Sequence, residues 1–179
     1  MSKILVISTS LHLHSNSDRL ADEFIRGAQD AGNNVEKVSL KDKQIAFCRG
    51  CLACEKLGHC AINDDAIDIA QKMHDADAIC FATPIYYYDM SGQMKTLLDR
   101  CNPLYYKDYH FRNIYLLTTA SEDTPQTPQR CITSLGGWID CYEHSRLAGT
   151  VFAGGVTQGG DISGHQALTE AYDLGKSAK

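Results

Sequence analysis

The sequence has no long apolar run, no excess of positive charge and few prolines. Its apolar stretches, such as Ile4 to Ile7 and Ala78 to Ala82, fall far short of the ~20 residues of a membrane span. Ile4 to Ile7 is also too short for a signal-peptide core. A cytoplasmic protein with no membrane partner is expected. Lys and Arg number 17 against 22 Asp and Glu, a net charge of −5. Cations scattered over an acidic chain give a polyanion no foothold, which argues against nucleic acid. No internal repeat, low-complexity tract or linker interrupts the chain, so 1–179 reads as one domain.

Cysteine is plentiful, with eight residues. Disulfide staples are rare in a reducing compartment, so these thiols need another explanation. Cys48, Cys51, Cys54 and Cys60 crowd into one segment, while Cys80, Cys101, Cys131 and Cys141 are dispersed and read as core filler.

Strand and helix signals alternate. Ile4 to Ile7, Ala78 to Ala82 and Ile114 to Thr119 are continuous apolar runs, the pattern of strands buried on both faces. Val35 to Leu40 and Leu147 to Phe152 supply two more strands. Ser15 and Asp18 mark a helix start as a capping-box variant. That helix should bury Leu20, Phe24, Ile25 and Ala28 and stop at Gly32. Further helices are expected after Asp64-Asp65, over Gly92 to Arg100, over Pro128 to Glu143 and over Ala167 to Leu174, with Pro84 ending the third strand. Five alternations predict an α/β doubly wound, five-stranded parallel sheet with helices on both faces. In such sheets ligands bind beyond the carboxyl ends of the strands. The segments concerned are 8–17, 83–92, 119–128 and 153–164.

The loop Ser8-Thr9-Ser10-Leu11-His12-Leu13-His14-Ser15-Asn16-Ser17 leads into a helix start. Its hydroxyls, free backbone N–H groups and the positive end of the helix dipole suit a phosphate without any Lys or Arg; a capped loop with no ligand is the plain alternative. Neither a P-loop nor a GxGxxG fingerprint is present, which disfavours ATP and a classical dinucleotide. No cysteine begins a Cys-x5-Arg phosphatase loop, Gly-x-Ser-x-Gly is missing, and the acidic residues of a phosphoryl-accepting receiver are replaced by Ser8 and Thr83-Pro84. Tyr86, Tyr87 and Tyr88 suit a flat ring or a subunit contact. The aromatic segment from Tyr105 to Phe111, with Trp138, suits a flat substrate or a neighbouring subunit.

Four motifs in order resemble the flavodoxin-like NAD(P)H-dependent FMN reductase superfamily. They are Thr9-Ser10-x4-Ser15-Asn16-Ser17, Cys48-x2-Cys51-x2-Cys54-x5-Cys60-x3-Asp64-Asp65, Thr83-Pro84-Ile85-Tyr86 and Ser91-Gly92-x2-Lys95-x3-Asp99-Arg100. The cysteine pattern is most similar to the iron–sulfur flavoprotein branch. The resemblance implies strand order 2-1-3-4-5, FMN at the strand ends and a homodimer or homotetramer. It implies phosphate contacts from Ser10, His12, Ser15, Asn16 and Ser17, although the usual family loop has Pro and Arg where this chain has Leu11 and His12. Ring and ribityl contacts are implied from Pro84, Ile85, Tyr86, Tyr87 and Ser91, and a border from Thr119, Ala120 and Ser121. Lys95, Asp99 and Arg100 read as structural.

Four thiolates at this spacing, with Gly50 and Gly58 for tight turns, suit a [4Fe–4S] cluster. Zinc more often takes two separated pairs. A redox dithiol of Cys51 and Cys54 and four cysteines with no joint role are the other readings. His59 reads as a solvated loop residue. The functional expectation is an FMN-dependent oxidoreductase carrying electrons from NAD(P)H or a ferredoxin-type donor to a small acceptor such as a quinone or free flavin. In that reading the flavin carries the chemistry and no side-chain acid or base is essential. The rival is a redox- or metal-responsive thiol protein in which Cys48 to Cys60 do the work.

Overall fold

The computed structural model describes residues 1–179, and in it each apolar run becomes a strand whose alternate residues enter two cores. The order is β1 (Lys3–Ser8), α1 (Asn16–Asp30), β2 (Asn34–Ser39), α2 (Cys54–Leu57), α3 (Ala66–His74), β3 (Ala78–Tyr86), β4 (Asp89–Met90) and α4 (Gly92–Arg100). A 3-10 turn (Asn102–Tyr106), β5 (Asn113–Thr119), α5 (Gln129–Ile139), β6 (Arg146–Ala153) and α6 (Ala167–Ser177) complete it. Leu5, Ile7, Ile79, Phe81, Ile114 and Leu116 face α3, α4 and α5. Ile4, Val6, Ala78, Cys80, Tyr115 and Leu117 face α1 and α6. The period of two along a strand makes this division, and burial of both faces explains the unbroken apolar runs.

The sheet order is β2-β1-β3-β5-β6, all parallel. Counting parallel strands alone, this is the expected 2-1-3-4-5. A sixth strand was not foreseen: β4 pairs antiparallel with the end of β3, Ile85 opposite Met90 and Tyr86 opposite Asp89. Pro84 therefore does not end β3. It sits in the ladder opposite Thr119, on a stretch where β1 has already stopped opposite Ala82, so no donor is needed on that edge. The α5 helix is shorter than the Pro128 to Glu143 expectation. Beyond Ile139 the bonds tighten, with Cys141 N–H donating to Trp138 O and Tyr142 N–H to Ile139 O, as helix ends often do. No helix is long and apolar enough to cross a membrane.

The aromatic segment divides between core and surface. Tyr105 and Tyr106 are exposed, but Tyr109 and Phe111 are buried. Phe111 stacks on Trp138 at 6.0 Å between ring centroids, and Tyr109 on Phe111 at 4.6 Å. Much of the ring surface expected in water is thus packing. Cys80, Cys101 and Cys131 are buried as expected. Loss of solvent pushes the Cys101 and Cys131 thiols up to about 12, which keeps them protonated and unreactive. Cys141 is exposed and is not core filler.

Helices α1 and α6 touch backbone to backbone at two glycines. A Cβ on Gly27 would stand 2.0 Å from Tyr172 O, and one on Gly175 would stand 2.0 Å from Phe24 O. Gly27→Ala is expected to force the helices apart and cost about 1–3 kcal/mol. Urea denaturation with an unchanged midpoint would contradict this close packing.

Candidate functional site

Sheet winding reverses between β1 and β3, and a cleft of about 240 Å³ opens there beyond the strand ends. The loop after β1 contributes Ser10, His12, Ser15 and Asn16. The end of β3 contributes Pro84, Ile85 and Tyr86, and the end of β5 with its loop contributes Thr119, Ala120 and Ser121. The loop after β6 adds Val156, Thr157, Gln158 and Gly159. That fourth wall lies within an expected segment, but none of its residues was singled out from the sequence.

The floor is the open end of α1. Ser15 Oγ accepts from Asp18 N–H at 3.3 Å and lies 3.0 Å from Ser17 Oγ. This is one half of the capping box; the Asp18 carboxylate instead pairs with Lys37 at 2.8 Å. The N–H groups of Asn16 and Ser17 donate to no protein acceptor, the ordinary state of a helix start. No carboxylate lines the cleft. Free amides, hydroxyls and a helix dipole with no opposing charge fit a phosphate group. The apolar faces of Pro84, Ile85 and Tyr86 fit a flat ring beside it.

Three of the expected contact residues lie elsewhere. The Ser17 side chain is buried, with Oγ 3.0 Å from Ser15 Oγ, and only its backbone N–H belongs to the open end of α1. Ser91 is buried too: its Oγ accepts from Met94 N–H at 3.3 Å, capping α4, and lies 3.0 Å from Thr9 Oγ1. Tyr87 is 99% exposed and outside the cleft lining. It forms the β3–β4 turn with Tyr88, both at positive φ (51° and 66°). That is the hairpin turn in which Asn-Gly is the favoured pair, so two tyrosines there hold backbone strain. Tyr88 is tied down by its hydroxyl, which donates to Glu122 at 2.6 Å. Asn16 has a second role, since Nδ2 donates to Gln158 O at 2.9 Å and Oδ1 accepts from Gly160 and Ile162 N–H. Its side chain is spent on fixing the fourth wall. Asp161 fixes the same loop, and bonds from the Gln158 and Thr157 N–H groups hold its carboxyl below the usual range.

A second cavity, of about 440 Å³, lies at the cysteine segment. Cys48, Cys51, Cys54 and Cys60 all line it, and Cys141, just beyond α5, joins them. Gly50 and Gly58 take positive φ (62° and 70°), as the turns require. Asn102 Nδ2 donates to Cys54 Sγ at 3.1 Å and Arg100 Nε to Cys60 Sγ at 3.2 Å. As they stand, no three of these or other Cys, His, Asp or Glu side chains are gathered into a metal-ligating group. Ligands of a four-iron cluster each hold a different iron and stand further apart, so four thiols around one cavity fit that group. His59 is exposed, with Nδ1 3.0 Å from Cys60 O.

Comparison with known proteins follows the same lines. An iron–sulfur flavoprotein of Methanocaldococcus jannaschii is 37% identical over 102 residues, 57% of this chain and 53% of that protein. One from Methanosarcina thermophila is 28% identical over 158 residues, covering 87% of this chain and 82% of the relative. For several curated relatives the matched stretch spans only about half their length, 46–54%. The solved NAD(P)H:quinone oxidoreductase from Methanothermobacter marburgensis superposes with a TM-score of 0.76 over 98% of this chain and 94% of its own. At 17% identity that likeness speaks to the fold alone. The family model for NADPH-dependent FMN reductase matches residues 2–135, and the chain belongs to that family.

Proposed function

We propose that the chain is an FMN-dependent oxidoreductase, a single domain taking electrons from NAD(P)H or a ferredoxin-type donor to a small acceptor such as a quinone or free flavin. The observation that carries this reading is the cleft at the β1/β3 reversal, with unpaired N–H groups at its floor and an apolar wall beside them. FMN bound there supplies a ring that accepts hydride at N5 and releases electrons to a second substrate. Ser10, Ser15 and the amides of Asn16 and Ser17 receive its phosphate, with His12 at the rim. Pro84, Ile85 and Tyr86 hold one side of the ring, and Thr119 to Ser121 border it. The loop from Val156 to Gly159 walls the phosphate end.

Anaerobic mixing of the FMN-loaded protein with NADPH or NADH should bleach the flavin band, and a quinone should restore it. A flavin that no nicotinamide and no reduced ferredoxin bleaches would contradict the reading.

The cysteine cavity supports a [4Fe–4S] centre held by Cys48, Cys51, Cys54 and Cys60, in keeping with the names of the archaeal relatives. The thiol-protein alternative is not favoured, because the family match rests on the FMN-reductase pattern across most of the chain. A homodimer or homotetramer is part of the proposal, since Leu11, Leu13, Phe47 and Tyr87 leave apolar surface in water. Sedimentation showing only 19.7 kDa particles at micromolar concentration would contradict it.

A further inference from the structure

The four loop sulfurs are not equivalent. Arg100, at the end of α4, is fully buried and spends its guanidinium on one segment. It donates to Ala46 O at 2.7 Å, Ile62 O at 3.1 Å, both Asp64 carboxylate oxygens at 2.7 and 2.8 Å, and Cys60 Sγ at 3.2 Å. The flanks of the cysteine loop are thereby clasped to the helix. Asn102, two residues on, makes its side-chain bond to Cys54 Sγ at 3.1 Å. Cys48 and Cys51 are exposed. Of these two, only Cys48 has an N–H partner, Gly50 of its own loop at 3.4 Å. Gly50 and Leu52 there take positive φ (62° and 54°).

The same helix begins at Ser91, whose hydroxyl meets Thr9 in the loop that opens the FMN cleft. A nine-residue helix is about 13 Å long, so α4 spaces the two sites.

We infer that Arg100 and Asn102 are positioning residues of the cysteine site: their N–H groups hold Cys60 and Cys54 as its fixed pair and raise the reduction potential of the centre those sulfurs ligate. The inference rests on the reading of Cys48, Cys51, Cys54 and Cys60 as cluster ligands. An N–H donor stabilises a ligating sulfur more when the centre carries the extra electron, so each such bond favours the reduced state. Cys48 and Cys51, which receive no bond from Arg100 or Asn102, form the exposed half of the site.

The test compares wild type with Asn102→Ala after anaerobic reconstitution with ferrous iron and sulfide. Iron and sulfide content, the electron paramagnetic resonance signal of the reduced state and a dye-mediated midpoint potential are read for each. Asn102→Ala is expected to load like wild type but to have a tenfold smaller equilibrium constant for one-electron reduction, about 59 mV more negative, with an altered resonance signal. Arg100→Lys, which keeps the charge but loses the Nε–H that reaches Cys60, should shift the potential the same way. A loaded Asn102→Ala protein with wild-type potential and signal would overturn the inference and leave the cluster reading intact. A wild type that takes up neither iron nor sulfide would overturn both.

Discussion

Arg100→Leu is expected to cost about 3–5 kcal/mol of stability, the range for breaking one partner out of a buried ion pair. The Arg100 side chain is 0% exposed and Asp64 11%, with 2.7 Å between them. Removing the guanidinium leaves Asp64 with only the N–H groups of Ala46 and Ala66 and strips a partner from the carbonyls of Ala46 and Ile62. The loss should appear in urea denaturation, and a change below about 1 kcal/mol would contradict the assigned role. The pair also sets a pH dependence. Burial opposes ionisation of Asp64, but the guanidinium and the two N–H groups outweigh it and hold the carboxyl below its usual value. The unfolded chain then binds the proton more readily than the folded one, so stability rises with pH across this window. The contribution is complete above the ordinary carboxylate value and is lost as pH falls through the lower, folded one. Arg100→Leu should flatten that acid limb.

Ser15→Asp is expected to lower FMN affinity by 100-fold or more while the protein stays folded. Aspartate caps a helix about as well as serine, so α1 keeps its start. Its carboxylate, however, occupies the phosphate seat, and two like charges ~4 Å apart repel by about 4 kcal/mol at an effective dielectric of ~20. Riboflavin, which has no phosphate, should bind the variant nearly as it binds wild type. Flavin fluorescence titration that finds FMN affinity unchanged would move the phosphate away from α1.

Much of the fold was legible because it depends on local pattern. Ile4 to Ile7 and Ala78 to Ala82 are short unbroken apolar runs, the pattern of strands buried on both faces. The floor of the cleft was legible for a similar reason, since hydroxyl-rich residues before a capped helix leave amides free whatever the rest of the chain does. The β3–β4 hairpin was hidden because its turn carries Tyr87-Tyr88 where glycine or asparagine would announce it. Cys141 was misread as core because the helix was carried to Glu143, four residues beyond its end at Ile139. The roles of Asn16 and Arg100 have no local signature at all. Asn16 grips Gln158 across 142 residues, and Arg100 reaches Cys60 across 40. Periodicity reports which face a side chain occupies, not which distant polar atom it will meet. Tyr109 and Phe111 illustrate the same limit, for a loop without a period gave no sign that its rings pack against Trp138 and Tyr142.

The central claim is that the cleft between β1 and β3 is a flavin site whose floor recognises a phosphate. Parallel titration of the apoprotein with FMN and with riboflavin tests it most directly. Two or more charge-assisted hydrogen bonds, each worth about 1.5–3 kcal/mol, should make FMN bind one-to-one and about 100-fold or more tighter than riboflavin. Equal affinities for the two, or no binding of FMN, would contradict the account.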